Sequence, residues 1–480
     1  MSAPPPAFED RVRDALASPQ LRVALQRATQ RFASSRTTAL ASLPHSETVR
    51  EQARDIRART LARLPEYLGQ FADAVEAAGG RVHWAADGES ACRIVRDIAA
   101  SNDVRRIVKS KSMVSEEIGL NGMLETAGFE VVESDLGEYI VQLAGHAPSH
   151  LIAPAIHLTK EQVGRLLHEK LGIPLTDNPE EMTAAARVQL RQVFLTADMG
   201  VSGVNFGVAR TGSLCLVTNE GNGRMTTSLP RIHVALMGIE RLVPTLGDLS
   251  VMLQVLARSA TGQKLSVYTS VITGPRRAGQ GEPDGPEQLH VVLLDNGRAG
   301  LLGTDSAEIL FCIRCGACLN TCPVYQSIGG HAYGGVYSGP VGSVLMPGLF
   351  GITRWQDLPH ASSLCGACRD ACPVRIDLPS LLLRQRKDAA AAGPSPSWLG
   401  PGMRLYRRAA TLPALFRAGA TLARLTTRLA AGRAGWLRRL PPPLSGWTRC
   451  RDFPALARES FHTQYRRHRA EQGKERPGHE

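Results

Sequence analysis

Apolar positions along the chain change their period twice. From Phe8 to Phe32, and again from Glu47 to Ala78, apolar residues recur at helical intervals among Ala, Arg, Leu and Gln. Both stretches predict amphipathic packing helices with no evident chemistry. Beyond them, short apolar runs alternate with helical stretches. The runs Arg81–Trp84, Arg106–Lys109, Glu130–Glu133, His150–Leu158, Ser213–Thr218, His233–Ile239, Leu265–Thr273 and Leu289–Leu294 are short and often β-branched, as strands are. Thr159-Lys160-Glu161-Gln162 reads as a capping box opening a helix. Asn178-Pro179-Glu180-Glu181 reads as an N-cap, a first-turn proline and acids favoured by the helix dipole. Gly247 to Ala260 reads as another helix. This alternation predicts an α/β domain built on a largely parallel sheet.

At 480 residues, 43% of them hydrophobic, the chain can bury cores for about two to four domains. The expected division is a helical segment over 1–75, an α/β domain over 76–304, a cysteine-rich domain over 305–390 and a basic extension over 391–480. Gly274 to Pro286 reads as an exposed loop. Gly329 to Gly351 either wraps a cofactor or forms a long loop, and Ala389 to Ser397 is a small-residue linker. No run of about 18 apolar residues occurs, so any membrane contact is expected to be peripheral or through a partner.

Charge belongs to the tail. Residues 393–480 hold 17 of the 56 basic and 5 of the 44 acidic side chains, leaving 39 of each elsewhere. Arg404, Arg407, Arg408, Arg417, Arg424 and Arg428 interleave with Leu405, Leu415, Phe416, Leu422, Leu425 and Leu429. That pattern suits an acidic membrane surface or an acidic partner. No nucleic-acid reading motif accompanies it, so nucleic acid is not expected as a partner. Residues 470–480 are expected to be disordered.

Seven of the ten cysteines fall in two runs: Cys312-x2-Cys315-x2-Cys318-x3-Cys322-Pro323 and Cys365-x2-Cys368-x3-Cys372-Pro373. The first is the complete bacterial ferredoxin pattern for a [4Fe–4S] cluster; the second lacks its opening cysteine. In that pattern three thiolates of one loop join the last cysteine of the other run. Cys312, Cys315, Cys318 and Cys372 then hold one cluster, and Cys322, Cys365 and Cys368 most of a second. Ser362 stands where the missing ligand belongs. The second cluster is either three-iron, or completed by a serine oxygen, water or a remote thiolate such as Cys450, or left open to a substrate or partner. Zinc also binds paired Cys-x2-Cys units, but its pairs do not usually come in this order. The cysteine usage, and no secretory pattern at Met1-Ser2-Ala3-Pro4-Pro5, fit a reducing cytoplasm.

Three stretches of the α/β region could carry chemistry. Lys109-Ser110-Lys111-Ser112 follows a strand and precedes Glu116-Glu117; it is either an anion site or a solvated, helix-capping loop. Glu133-Ser134-Asp135-Leu136-Gly137-Glu138 supplies a base, a metal ligand, a cap or a plain turn. His146, His150 and His157 follow, with His157 expected on a buried strand. Gly200 to Gly207 and Arg210-Thr211-Gly212-Ser213 lack the dinucleotide fingerprint but could cradle an anion. Cys215 reads as core, and Cys92 has no visible partner.

The order of these motifs, from the helical start through Lys109-Ser110-Lys111-Ser112, Glu133 to Glu138, Pro148-Ser149-His150, Arg210 to Ser213 and the ferredoxin-type segment, resembles the lactate utilization protein B family. The similarity runs from about residue 8 to 470. It implies a LUD α/β domain similar to sugar-isomerase and CoA-transferase domains, a two-cluster helical domain and a helical C-terminal extension. It further implies an electron-carrying subunit in L-lactate oxidation to pyruvate, working with a cysteine-rich-domain protein and a second LUD protein. The seven cysteines carry over as cluster ligands; no LUD residue carries over as catalytic.

Two other functions compete with a carrier passing electrons to a quinone or membrane acceptor. In one, the α/β domain binds and oxidises the hydroxy acid, with Lys109 and Lys111 on its carboxylate and Glu138 or His157 as base. In the other, the clusters of a scaffolding protein sense oxidants.

Overall fold

Ten strands build the α/β part: β1 (Arg81–Ala85), β2 (Arg106–Lys109), β3 (Glu130–Glu133), β4 (Met199–Gly203), β5 (Phe206–Val208), β6 (Ser213–Thr218), β7 (Ile232–Gly238), β8 (Leu242–Val243), β9 (Tyr268–Ile272) and β10 (Gln288–Leu294). The computed structural model describes residues 7–277, 284–393, 399–442, 444–449 and 451–474. Six strands pair in parallel in the order β1-β10-β7-β4-β2-β3. A smaller sheet runs β8-β5-β6-β9. The expected largely parallel α/β architecture is present.

Alternation along the central strands explains their burial. Ile232, Val234 and Leu236 of β7 join Val292 and Leu294 of β10 on one face, under helices Gly88–Ser101 and Leu120–Thr126. Ala235, Met237, Leu289, Val291 and Leu293 face the other way, into a second core. A sheet covered on both faces needs apolar residues at nearly every position, which is why these runs look continuous.

That second core extends without a break into the cysteine-rich segment, where it includes Cys315, Cys318, Cys322, Tyr325, Tyr333 and Leu345. Of the N-terminal helices, α1 (Phe8–Ala17) packs Phe8 and Val12 against it, and α2 (Pro19–Ala41), α3 (Ser46–Ala62) and α4 (Leu64–Ala77) contribute Leu25, Ile56, Leu64 and Phe71 to it. The chain divides into two compact units between Gly393 and Pro394. The second contains helices Leu399–Thr411, Pro413–Ala431 and Phe461–Lys474 and one short antiparallel pair, Trp436–Leu437 with Phe453–Pro454. Leu405, Leu415, Phe416, Leu422, Leu425 and Leu429 are all exposed. Among the described residues no helix is long and apolar enough to cross a membrane.

Both predicted caps are made: Thr159 and Asn178 each accept a backbone N–H of the helix they open. Three readings need correction. His150–Leu158 is not a strand but a run of turns, closed by Ser149 N–H to Pro154 O at 3.0 Å and Ile156 N–H to Ala153 O at 3.1 Å. His150 Nδ1 accepts the N–H groups of Ile152 and Ala153, which takes those amides away from any ladder. Gly200 to Gly207 is not a loop but β4, a two-residue link and β5. Glycine is needed at 200 because the Thr226 carbonyl would sit 1.9 Å from a Cβ there. Gly329–Gly351 is not one long loop, since Gly339–Phe350 is a helix buried over its first nine residues. Of the tail expected to be disordered, Ala470 to Lys474 belong to helix Phe461–Lys474. Residues 475–480, 278–283 of the expected loop, 394–397 of the expected linker, the first five residues and Cys450 lie outside the described residues.

Candidate functional site

The cysteine loops are two copies of one backbone path. Arg314 and Leu364, each just before the second cysteine position, are left-handed at φ 60° and 55°. The glycines that follow, Gly316 and Gly366, have φ 76° and 86°. Each loop then enters a short helix, Ala317–Asn320 or Ala367–Ala371, and ends in an extended cysteine followed by proline.

Folding sorts the seven thiols into two groups. Cys312, Cys315, Cys318 and Cys372 border one small cavity walled by Ile313, Val341, Val374, Ile376 and Leu378. Burial, then the neighbouring Cys372, pushes the Cys315 thiol up to about 12. Burial, then Cys322, with Cys365 a smaller influence, does the same to Cys368. Dry thiols of this kind resist ionisation on their own; bound iron reverses that preference, so these residues fit an iron–sulfur cluster. The amides of Arg314 and Ile376 point at Cys312 Sγ and Cys372 Sγ, both at 3.4 Å. Cys365 is exposed, unlike Cys322 and Cys368. A cubane takes each thiolate on a different iron, so its ligands need not meet at one point. Among the described residues no three His, Cys, Asp or Glu side chains gather as single-ion ligands would.

A larger cavity of about 250 Å³ lies at the carboxyl ends of the parallel strands. Its walls include Ser110–Val114 after β2, Gly203–Asn205 at the end of β4, and Glu240 and Arg241 after β7. Chain connections from β2 run toward β3, whereas those from β4 run through β7 to β10 in the opposite direction. The cavity therefore occupies the topological switch point, the general ligand position of open α/β sheets. Arg314, Tyr337 and Cys315 form its far wall. Cys315 and Leu151 border both cavities.

The candidate α/β residues separate on this geometry. Lys111 lines the pocket; its Nζ has no hydrogen-bond partner and lies 3.9 Å from Glu138 Oε1. Burial outweighs Lys111 and pushes Glu138 up to about 8. Lys109 is not available to a substrate. It is 1% exposed and bonded to Glu116 at 2.8 Å, Glu133 at 2.7 Å and Ser115 at 2.7 Å. Burial opposes its charge, but the two carboxylates prevail and hold it charged. His157 is neither on a strand nor at the pocket. It meets His331 edge-on, with ring centroids 4.4 Å apart, and bonds His146 at 3.1 Å; burial and these two rings lower it to about 3. Asp135 caps helix Leu136–Ala144 through the Glu138 amide. Cys215 is core, and Cys92 is buried in helix Gly88–Ser101.

Sequence reading missed the arginines. On α3, Arg50 donates to the carbonyls of Asp370 and Cys372 at 2.8 and 2.7 Å. Arg54 reaches Glu308 and the Arg375 carbonyl, and buried Arg57 reaches the carbonyls of Leu242, Glu240 and Leu310. Spacing at 50, 54 and 57 puts all three on one helix face, a signal that was available in the sequence. Arg298 grips Glu117 with both terminal nitrogens at 2.8 Å and Glu240 through Nε at 2.6 Å. Glu240 continues to Arg314 at 3.4 Å, which stacks on Tyr337. This chain of charges links the sheet to the cysteine loop.

Comparison with known proteins matches three separate stretches of the chain to known families. Residues 68–294 match the LUD domain family, 308–376 the 4Fe-4S dicluster domain and 401–470 the lactate utilisation protein B C-terminal family. A protein named Lactate utilization protein B from Bacillus pumilus is 46% identical over 97% of this chain and 98% of its own length. One of the same name from Shouchella clausii is 44% identical over 95% of each. An Escherichia coli protein named Uncharacterized electron transport protein YkgF is 43% identical over 97% of this chain and 98% of its own.

Proposed function

The chain belongs to the lactate utilization protein B family, and from that premise we propose that it is an iron–sulfur electron-transfer subunit in the oxidation of L-lactate to pyruvate. The observation that carries this is the gathering of Cys312, Cys315, Cys318 and Cys372 around one small cavity, apart from Cys322, Cys368 and exposed Cys365. Cys312, Cys315, Cys318 and Cys372 hold one [4Fe–4S] cluster; Cys322, Cys365 and Cys368 hold most of another. Such clusters, when bound, supply one-electron transfer at potentials of roughly −700 to +450 mV.

The chain's own residues keep water from the first group through Ile313, Val341 and Leu378, and orient its sulfurs through the amides of Arg314 and Ile376. Exposed Cys365 leaves the second group open to a partner's redox group. Removing a hydride equivalent from a hydroxy acid needs a two-electron acceptor. The family resemblance implies as partners other lactate-utilization proteins, a cysteine-rich-domain protein and a second LUD protein. Helices Leu399–Thr411 and Pro413–Ala431 offer a basic, apolar face to an acidic partner or acidic lipid. Anaerobically purified protein should contain about eight irons with matching sulfide for two cubanes, or about seven with one three-iron cluster. Zinc without an EPR signal overturns the reading.

A second reading is favoured by the wall that the two cavities share. In it, the switch-point pocket binds the hydroxy acid beside Cys315, with Lys111 and Arg314 on its carboxylate. Both have a buried nitrogen without a partner. A cavity of about 250 Å³ suits a small ligand, being below the roughly 300–1,000 Å³ of sites for drug-sized molecules. Lys111→Gln should weaken L-lactate binding about 10-fold or more, the loss expected for a charged hydrogen bond of about 1.5–3 kcal/mol. Ligand-observed NMR on the full chain reads this directly; equal binding by the variant removes Lys111 from the site.

A further inference from the structure

We propose that Ser362 Oγ is the fourth ligand of the second cluster, bonded to the iron that Cys322, Cys365 and Cys368 leave unligated. The inference rests on the two-cluster reading above and on the duplication of the cysteine loops.

In the first loop, the Arg314 amide donates to Cys312 Sγ at 3.4 Å. In the second, the Leu364 amide donates to Ser362 Oγ at 3.1 Å. Donor and acceptor occupy the same positions of the two loops, two residues apart. Both donor residues are left-handed, at φ 60° and 55°, and both are followed after one cysteine by a left-handed glycine. The second loop therefore presents the serine oxygen on the same backbone path as the first presents its opening thiol. Oxygen is smaller than sulfur, which accords with the shorter bond to the amide.

The rest of the loop fixes that oxygen's position. Ser362 N–H donates to the His360 carbonyl at 2.8 Å, and the Ser362 carbonyl accepts from Arg386 Nη2 at 2.9 Å. Arg386 Nε also holds the Pro359 carbonyl at 2.8 Å. Clamping on both sides of residue 362 is independent of its side chain, so a ligand swap leaves the loop in place. On ligation the hydroxyl proton passes to solvent as the O–Fe bond forms, with no change in iron oxidation state. Neighbouring Cys365 is exposed, so solvent reaches this side of the site.

The test uses the full chain purified without oxygen, as unsubstituted protein, Ser362→Ala and Ser362→Cys. Unsubstituted protein and Ser362→Cys should each hold about eight irons. Ser362→Cys should shift the potential and EPR spectrum of the second cluster and leave the first unchanged. Ser362→Ala should fall to about seven irons and show the signal of an oxidised three-iron cluster. Two results overturn the proposal: about seven irons with a three-iron signal in the unsubstituted protein, or a spectrum that Ser362→Ala leaves unchanged. Absence of iron from every preparation instead sinks the cluster reading itself, so the two failures are distinct.

Discussion

Cys372→Ala is expected to empty the site built by Cys312, Cys315 and Cys318, while sparing the one that uses Cys365 and Cys368, its own neighbours in sequence. Iron should fall from about eight to about four per chain, with sulfide in step. The surviving EPR signal should be that of the second cluster. Cys322→Ala should do the reverse, removing the second cluster although Cys322 belongs to the first run. The physical basis is the cavity that Cys372 shares with three thiols more than fifty residues earlier. Arg50 grips the Cys372 carbonyl, not its sulfur, so the loop keeps its place when the thiol is gone. Loss of both signals in Cys372→Ala, or loss of the second alone, would break the interleaved ligand sets.

Arg298→Met should cost about 3–5 kcal/mol of stability, the usual penalty for stranding buried charges. Arg298 is fully buried, and its partners Glu117 and Glu240 are no more than 1% exposed. Burial pushes both carboxyls up; Arg298 outweighs it at Glu117, and Arg298 with Arg314 and Arg241 holds Glu240 at about 2. The pH dependence follows from those directions. In the parent protein the carboxylates contribute stability that is fully present above their ordinary value of 4.5 and is lost as pH falls toward 2. Without Arg298, burial favours the protonated acid at Glu117, while Arg314 and Arg241 still oppose it at Glu240. The gap between variant and parent should therefore be widest near pH 7 and narrow as the pH is lowered toward 4.5. Denaturant titrations at several pH values measure it; a gap that does not change with pH would mean that Arg298 acts by packing alone.

Sequence reading succeeded where the determinant was local. The cysteine spacings, the caps at Thr159 and Asn178 and the strand periods are each written within a few residues, because turn geometry and hydrogen-bond reach act over that distance. His157 and Lys109 failed for the same reason. The sequence shows a lysine after a strand, but not that Glu133 of the adjacent strand and Glu116 of the next helix close around it. It shows an apolar run near His157, but not the turns that Pro154 and the His150 ring impose.

The chain by itself determined the thiol spacing of a 4Fe-4S dicluster domain, because the seven residues from Cys312 to Cys318 carry three cysteines. Only the tertiary structure decided which thiols share a cavity, which lysine lines the pocket, and that Cys315 borders both the small thiol-lined cavity and the switch-point pocket. Those relations join residues as far apart in the chain as Lys111 and Cys315, and they exist only once burial of a common core has brought the segments together.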